Sequence, residues 1–161
     1  MIQHEVRLPE WIESAPIRTS TSVQISATPA TVWGYLADHT SWPRWFTLVD
    51  RVDVTGPPTG VGGARRVVIQ RLPFDEQFTV WDEDREFSWA VTGSWLPILA
   101  LMAESMRLEP TDHGLRLHYE QGLQARRGFG GTLNAMWQRN LPGIQQGLDN
   151  LRQMSETRGP H

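Results

Sequence analysis

The sequence predicts an α+β domain in which one curved antiparallel sheet of about seven strands wraps a single long C-terminal helix. Three observations predict it. Between residues 128 and 154, Leu133, Met136, Trp137, Leu141, Ile144, Leu148 and Leu151 recur three or four residues apart, which draws one apolar stripe along a helix. Before that helix, residues 48–124 break into alternating runs separated by Gly, Pro and Asp turns, and short turns make successive strands antiparallel. No repeat or low-complexity segment interrupts the order, and 161 residues suit one domain with a real core.

The first 18 residues form an N-terminal arm in which Pro9 to Glu13 offers one helical turn that Pro16 ends. A single domain then spans 19–156, and 157–161 are expected to be a disordered tail. Val23 and Ile25 alternate with Ser22, Gln24 and Ser26, which makes 19–27 a strand. Thr28-Pro29 reads as an N-cap followed by proline in the first turn, with Val32, Trp33, Leu36 and Ala37 as the inner face of a short helix. Ser41 is placed to cap a second one, Trp42 to Phe46. Strands follow at 48–55, 63–71, 76–82, 86–92, 98–109 and 115–124.

The last helix opens at Gly130-Gly131-Thr132, with Thr132 as its expected N-cap. Gly128-Phe129-Gly130-Gly131 lacks the third glycine of a dinucleotide loop and serves as helix entry. Pro142 deletes one backbone hydrogen bond inside the helix and costs roughly 3 kcal/mol, so the helix needs a surface to lie on.

Absences narrow the chemistry. There is no cysteine and no lysine, all fifteen basic residues being arginine. Thiol nucleophiles, cysteine-held metals, Schiff bases and a phosphate-loop lysine are therefore excluded. A net charge of −3 argues against nucleic acid as the main partner. No apolar run approaches the roughly 18 residues of a membrane span, and no signal-like apolar region follows Met1, so a soluble cytoplasmic protein without membrane insertion is expected. Eight tryptophans imply large apolar surfaces that the fold buries or a ligand covers.

Ala27-Thr28-Pro29-Ala30-Thr31-Val32-Trp33, followed by Asp38-His39-Thr40-Ser41-Trp42-Pro43-Arg44-Trp45, resembles the opening signature of the START/Bet v 1-like superfamily of polyketide cyclases and lipid carriers. Arg85 to Gly93 and Leu108 to Leu117 are similar to its later strands. The resemblance implies a helix-grip fold with an elongated cavity between sheet and helix. It also implies a lipid, polyketide or aromatic ligand, with cyclisation or dehydration in some members.

Alternation turns Phe87, Trp89 and Val91, Met106 and Leu108, and Leu115, Leu117 and Tyr119 to the inner face. The same parity brings Glu104 inside with Met102. In the hairpin, Glu104 then lies opposite Tyr119 or Gln121, depending on register. An inward carboxylate costs several kcal/mol unless paired or protonated. Glu104 and Tyr119 are thus the candidate catalytic, proton-transfer pair, and the bland alternatives are a satisfied internal hydrogen bond or a strand slip that turns Glu104 to solvent. The expected ligand lining is Trp89, Met102, Met106, Leu117, Gln121, Trp137, Leu141 and Ile144. No metal-ligand spacing and no cofactor motif is found. His39 reads as part of the fold motif first, with a catalytic role as the lesser alternative, and His113 and His118 read as solvated. Arg126 and Arg127, before a helix N-terminus, read as solvated first, with an anionic headgroup as the alternative.

Three functions compete: a carrier of a small hydrophobic molecule, a cyclase or dehydratase using Glu104 and Tyr119, and a protein-interaction subunit whose pocket its own tryptophans fill. A homodimer remains open. Residues 95–99, apolar on both faces, read as core first, with a lid or a dimer contact as alternatives.

Overall fold

The structure, a computed structural model, describes residues 1–157. Of the tail expected at 157–161, Thr157 closes the last helix and the remainder lies outside the described residues. The strands are β1 (Ile2–Gln3), β2 (Ile17–Ile25), β3 (Val49–Val54), β4 (Ala64–Ile69), β5 (Leu72–Asp82), β6 (Glu86–Ser94), β7 (Leu99–Thr111) and β8 (Gly114–Ala125). The helices are α1 (Pro29–Ala37), α2 (Trp42–Trp45) and α3 (Gly130–Thr157). One antiparallel sheet runs in the order β2-β8-β7-β6-β5-β4-β3, and α3 lies against β2 and β8 with α1 and α2 beside it. This is the helix-grip arrangement, with one strand more than the periodicity indicates.

The extra strand is β1. β6 pairs with β7 from Glu86 to Ala90, and beyond that β1 takes over, pairing with Gly93 and Ser94 of β6. His4 ties this insertion together. Its Nδ1 donates to the Ala100 carbonyl on β7 at 3.0 Å, which leaves Nε2 to accept from Ser94 Oγ at 2.7 Å. Further along the arm, Pro9–Ser14 is a 3₁₀ turn whose buried Ile12 rests on Gly122 of β8. A Cβ at Gly122 would come within 3.0 Å of Ile12 Cα and 2.9 Å of Ala15 Cβ, so only glycine admits this contact. The arm therefore covers the outer face of the sheet.

Local capping holds at α1, where the Thr28 hydroxyl accepts from the Thr31 amide at 3.2 Å. It differs at two other helices. Ser41 makes no cap bond to α2, because its Oγ donates to the Tyr35 carbonyl and accepts from Trp45 Nε1. Thr132 sits inside the first turn of α3, which begins two residues earlier at Gly130. Leu133, Trp137, Ile144, Leu148 and Leu151 are buried on α3 as the stripe requires, and Pro142 is accommodated within the helix.

The apolar 95–99 segment divides. Leu96 and Leu99 are buried in a cluster with Phe74, Leu133 and Trp137, while Trp95 is 59% exposed. Among the described residues no helix is long and apolar enough to cross a membrane.

Candidate functional site

The site lies where β7 and β8 pass under the first half of α3. Antiparallel register sets Glu104 across from Gln121 and Met106 across from Tyr119, and alternation turns all four inward. Tyr119 Oη donates to Glu104 Oε1. Gln121 Nε2 donates to the same oxygen at 2.7 Å, and Trp89 Nε1 donates to Oε2 at 2.6 Å. Trp137 on α3 fixes the direction of the whole set. Its indole N–H can only donate, and it reaches Gln121 Oε1 at 3.0 Å, where Thr19 Oγ1 also donates at 3.0 Å. The amide nitrogen of Gln121 must therefore face Glu104. The polar cluster thus pins α3 to the sheet as well as satisfying a carboxylate.

Burial pushes the Glu104 carboxyl above the ordinary glutamate range, while hydrogen bonds from Tyr119, Gln121 and Trp89 and the charge of Arg65 restrain the rise. Burial, then the adjoining Glu104 charge, pushes Tyr119 well above its usual value of 10.0. Tyr119 therefore remains a phenol, able to donate a hydrogen bond. Glu104 is the member of the pair that can change protonation state.

A second buried cluster backs the first. Arg65 and Glu76 face each other across β4 and β5, with Arg65 Nε 2.7 Å from Glu76 Oε2 and side-chain exposures of 0% and 4%. The Arg65 guanidinium lies 4.0 Å from the Trp42 ring centroid and 5.1 Å from that of Trp89. Its Nη1 donates to His39 Nδ1 at 3.3 Å, and His39 Nε2 donates to the Pro58 carbonyl at 2.7 Å. Burial, with Arg65 alongside, holds this imidazole below 6.5, against the pull of the Pro58 carbonyl. Glu76 is pushed up to about 7, by burial first, against the Arg65 charge and with Glu104 adding to the rise. One guanidinium thus serves two interior carboxylates. His39, expected chiefly as a fold-motif residue, is part of this cluster.

Met102, Glu104, Tyr119, Gln121, Trp137 and Ile144 all border one crevice. Trp89 stands behind Glu104 as a donor; Met106 and Leu117 are sealed in the core, and Leu141 is half-buried against it. Phe46, Leu48, Ile69 and Asn140 complete the wall and were not anticipated. Arg65 and Glu76 were missed too, although the alternation that flagged Glu104 was available: Arg65 shares a face with Val67, and Glu76 with Phe74 and Phe78.

The crevice is small. Where an elongated cavity was expected, about 40 Å³ is open. The aromatic side chains occupy the rest: Trp42, Trp45, Phe78, Phe87 and Trp89 are all buried between sheet and helices. Leu48 closes one side by resting on Gly143 of α3, where a Cβ would lie 2.9 Å from Leu48 Cδ2. Phe46 likewise packs against Gly147. Among the described residues no group of three or more His, Cys, Asp or Glu side chains could hold a metal ion.

Residues 16–156 match the family model described as polyketide cyclase / dehydrase and lipid transport. The chain belongs to that family, within the START/Bet v 1-like superfamily. Among curated relatives, the uncharacterized protein Rv2574 of Mycobacterium tuberculosis is 29% identical over 109 residues, 66% of this chain and 65% of that protein. The match therefore spans a little under two thirds of the relative's length. The fold is also that of Zhui aromatase/cyclase from Streptomyces sp. R1128, with a TM-score of 0.73 at 16% identity over 88% of this chain and 94% of that one. A START superfamily protein from Mycobacterium smegmatis aligns with a TM-score of 0.70 at 12% identity, over 85% of this chain and 97% of the other. At these identities the likeness is one of fold, and one fold hosts many functions.

Proposed function

We propose that this protein is a cytoplasmic carrier of a small, largely apolar molecule that places one oxygen against Glu104, Tyr119 and Gln121. The observation that carries the reading is the Glu104 carboxylate, 5% exposed, bordering the crevice beneath α3 with apolar side chains around it. A buried carboxylate is costly in an interior, and its position on the wall of a crevice gives that cost a use. Membership of a family described by cyclisation, dehydration and lipid transport supports the same ligand class.

A crevice of about 40 Å³ holds little more than a water molecule, whereas drug-sized ligands occupy several hundred Å³. Binding therefore requires opening, and the segment best placed to open is Phe46 to Leu48, which borders the crevice and rests on the small residues Gly143 and Gly147 of α3. The second reading is an enzyme of cyclase or dehydratase type. It is favoured by Glu104 and Tyr119 standing in direct hydrogen bond, one able to take up a proton and the other held as a donor.

Native mass spectrometry of freshly purified protein tests the carrier, with an apolar guest released on denaturation as the expected result. Glu104→Gln then separates the two readings. A carrier loses about tenfold or more in affinity for an oxygen-bearing guest, from a hydrogen bond to a charged group worth about 1.5–3 kcal/mol. An enzyme keeps binding and loses turnover. Protein that releases no guest and binds none from a lipid and polyketide panel defeats both.

A further inference from the structure

The two ends of the sheet differ in charge, one rich in carboxylates with Arg85 and Arg107 among them, the other rich in arginine with Asp50 accepting from the Arg71 amide. At one end, the β5–β6 turn holds Asp82, Glu83 and Asp84, and the β7–β8 turn lies beside Glu109 and Asp112. The other end lies roughly 30 Å away, the length of nine-residue β6. There the β6–β7 loop carries Trp95, and the β8–α3 loop carries Arg126, Arg127 and Phe129. The two loops are joined by a hydrogen bond from the Arg126 amide to the Ile98 carbonyl at 2.8 Å. The β4–β5 turn adds Arg71 at the same end.

Trp95 is 59% exposed and Phe129 45%, and among the described residues they are the large aromatic side chains left most open to solvent. Scattered apolar residues need no explanation, but two aromatics on adjoining loops, flanked by arginines, form a patterned surface. Arg71, Arg126 and Arg127 are exposed, and none makes an ion pair among the described residues. Behind them a groove of about 680 Å³ opens between the start of β2 and the start of α3, bordered by Arg18, Arg126 and Arg127. Free cationic side chains on a chain of net charge −3 mark this end for an anionic partner.

We infer that this end of the molecule docks on an anionic lipid surface, with Trp95 and Phe129 entering the headgroup region and Arg71, Arg126 and Arg127 facing lipid phosphates. The indole suits that layer because it is apolar with one polar N–H. A second copy of the chain is a poorer occupant, since a two-fold contact would set these arginines against themselves. Docking does not depend on the crevice holding a guest, so the two ideas fail separately.

Co-sedimentation of the intact protein with vesicles tests it. Binding is expected to vesicles of phosphatidylcholine with a minority of phosphatidylglycerol, with a blue shift in tryptophan emission, and it should fall as salt is raised. Arg126→Gln and Arg127→Gln should each weaken partitioning about fivefold, the equivalent of about 1 kcal/mol per basic residue near an anionic surface. Trp95→Ser should remove most of the emission shift, and Glu83→Gln at the opposite end should change nothing. Absence of binding, or equal binding to pure phosphatidylcholine, overturns the inference. Competition by inorganic phosphate beyond that of chloride at matched ionic strength would assign the arginines to a free anion. Self-association that Trp95→Ser abolishes would assign the loops to a dimer.

Discussion

Glu104 accepts hydrogen bonds from Tyr119, Gln121 and Trp89 and lies within reach of the Arg65 charge. All of its partners are donors, so the site is built for a carboxylate that the surrounding burial makes reluctant to ionise. Behind it, Arg65 and Glu76 form a pair that neither residue can leave without cost. Glu76→Gln should destabilise the fold by at most about 3–5 kcal/mol in urea unfolding, since it takes the nearer of two countercharges from a buried guanidinium and leaves only Glu104. The histidine on the same arginine sets a pH dependence. His39 is held neutral below 6.5 in the fold but takes up protons at that value when unfolded. Its contribution is therefore complete above 6.5, shrinks as pH falls through 6.5, and stops shrinking once the folded imidazole also titrates. Glu76 works in the opposite sense: with its folded value near 7 against 4.5, it favours the folded state below 4.5 and loses that effect as pH rises through 7. His39→Gln should thus reduce the loss of unfolding free energy between pH 7 and pH 5 relative to the unmodified chain. An unchanged slope would remove His39 from the account.

At the level of elements, two unlike contacts are prominent among those that hold α3. Trp137 fastens its first half to Gln121 through a hydrogen bond, and Gly143 and Gly147 let the loop after α2 come close to its middle. Gly143→Ala tests the second contact. Alanine raises helix propensity by about 1 kcal/mol, but its Cβ drives Leu48 aside at a cost of about 1–3 kcal/mol. The expected outcome is a small net loss of stability with faster guest exchange, measured by stopped-flow displacement. The β6–β7 loop offers a sharper contrast. Leu96→Ser should cost about 3 kcal/mol or more in thermal unfolding, whereas Trp95→Ser should leave the midpoint nearly unchanged.

For the whole molecule, the filled interior changes what binding must do. The aromatic cluster from Trp42 to Trp89 already packs the space that a roomy cavity would take, so a guest enters only by moving side chains aside. A guest present at 100 times its Kd should add about 2.7 kcal/mol to stability. For a domain of this size that corresponds to a rise in Tm of roughly 5–10 °C, readable by scanning calorimetry. Opening of the Phe46–Leu48 segment should show as guest-dependent hydrogen exchange confined to that loop and the facing turn of α3. Uniform protection across the sheet would argue for rigid entry instead.

Alternation along a strand is covalent and local, which is why Glu104, Tyr119 and Gln121 could be placed on one inner face from the sequence, leaving only register to be decided. The same holds for the stripe on α3 and the Thr28 cap on α1. Arg65 and Glu76 obeyed the same rule, but each has a charged neighbour, Arg66 or Asp75, and nothing local marks which of the two faces the interior until pairing across β4 and β5 sets Arg65 against Glu76. Two-residue β1 has no periodicity to display, and its strand exists because β6 and β7 part beyond Ala90 and leave edges to be paired. The division of Trp95 from Leu96 and the size of the crevice were likewise decided only in three dimensions. Which way a side chain points is fixed by its own backbone; how much room remains beside it depends on how closely distant segments approach, and Leu48 on Gly143 sets that distance here.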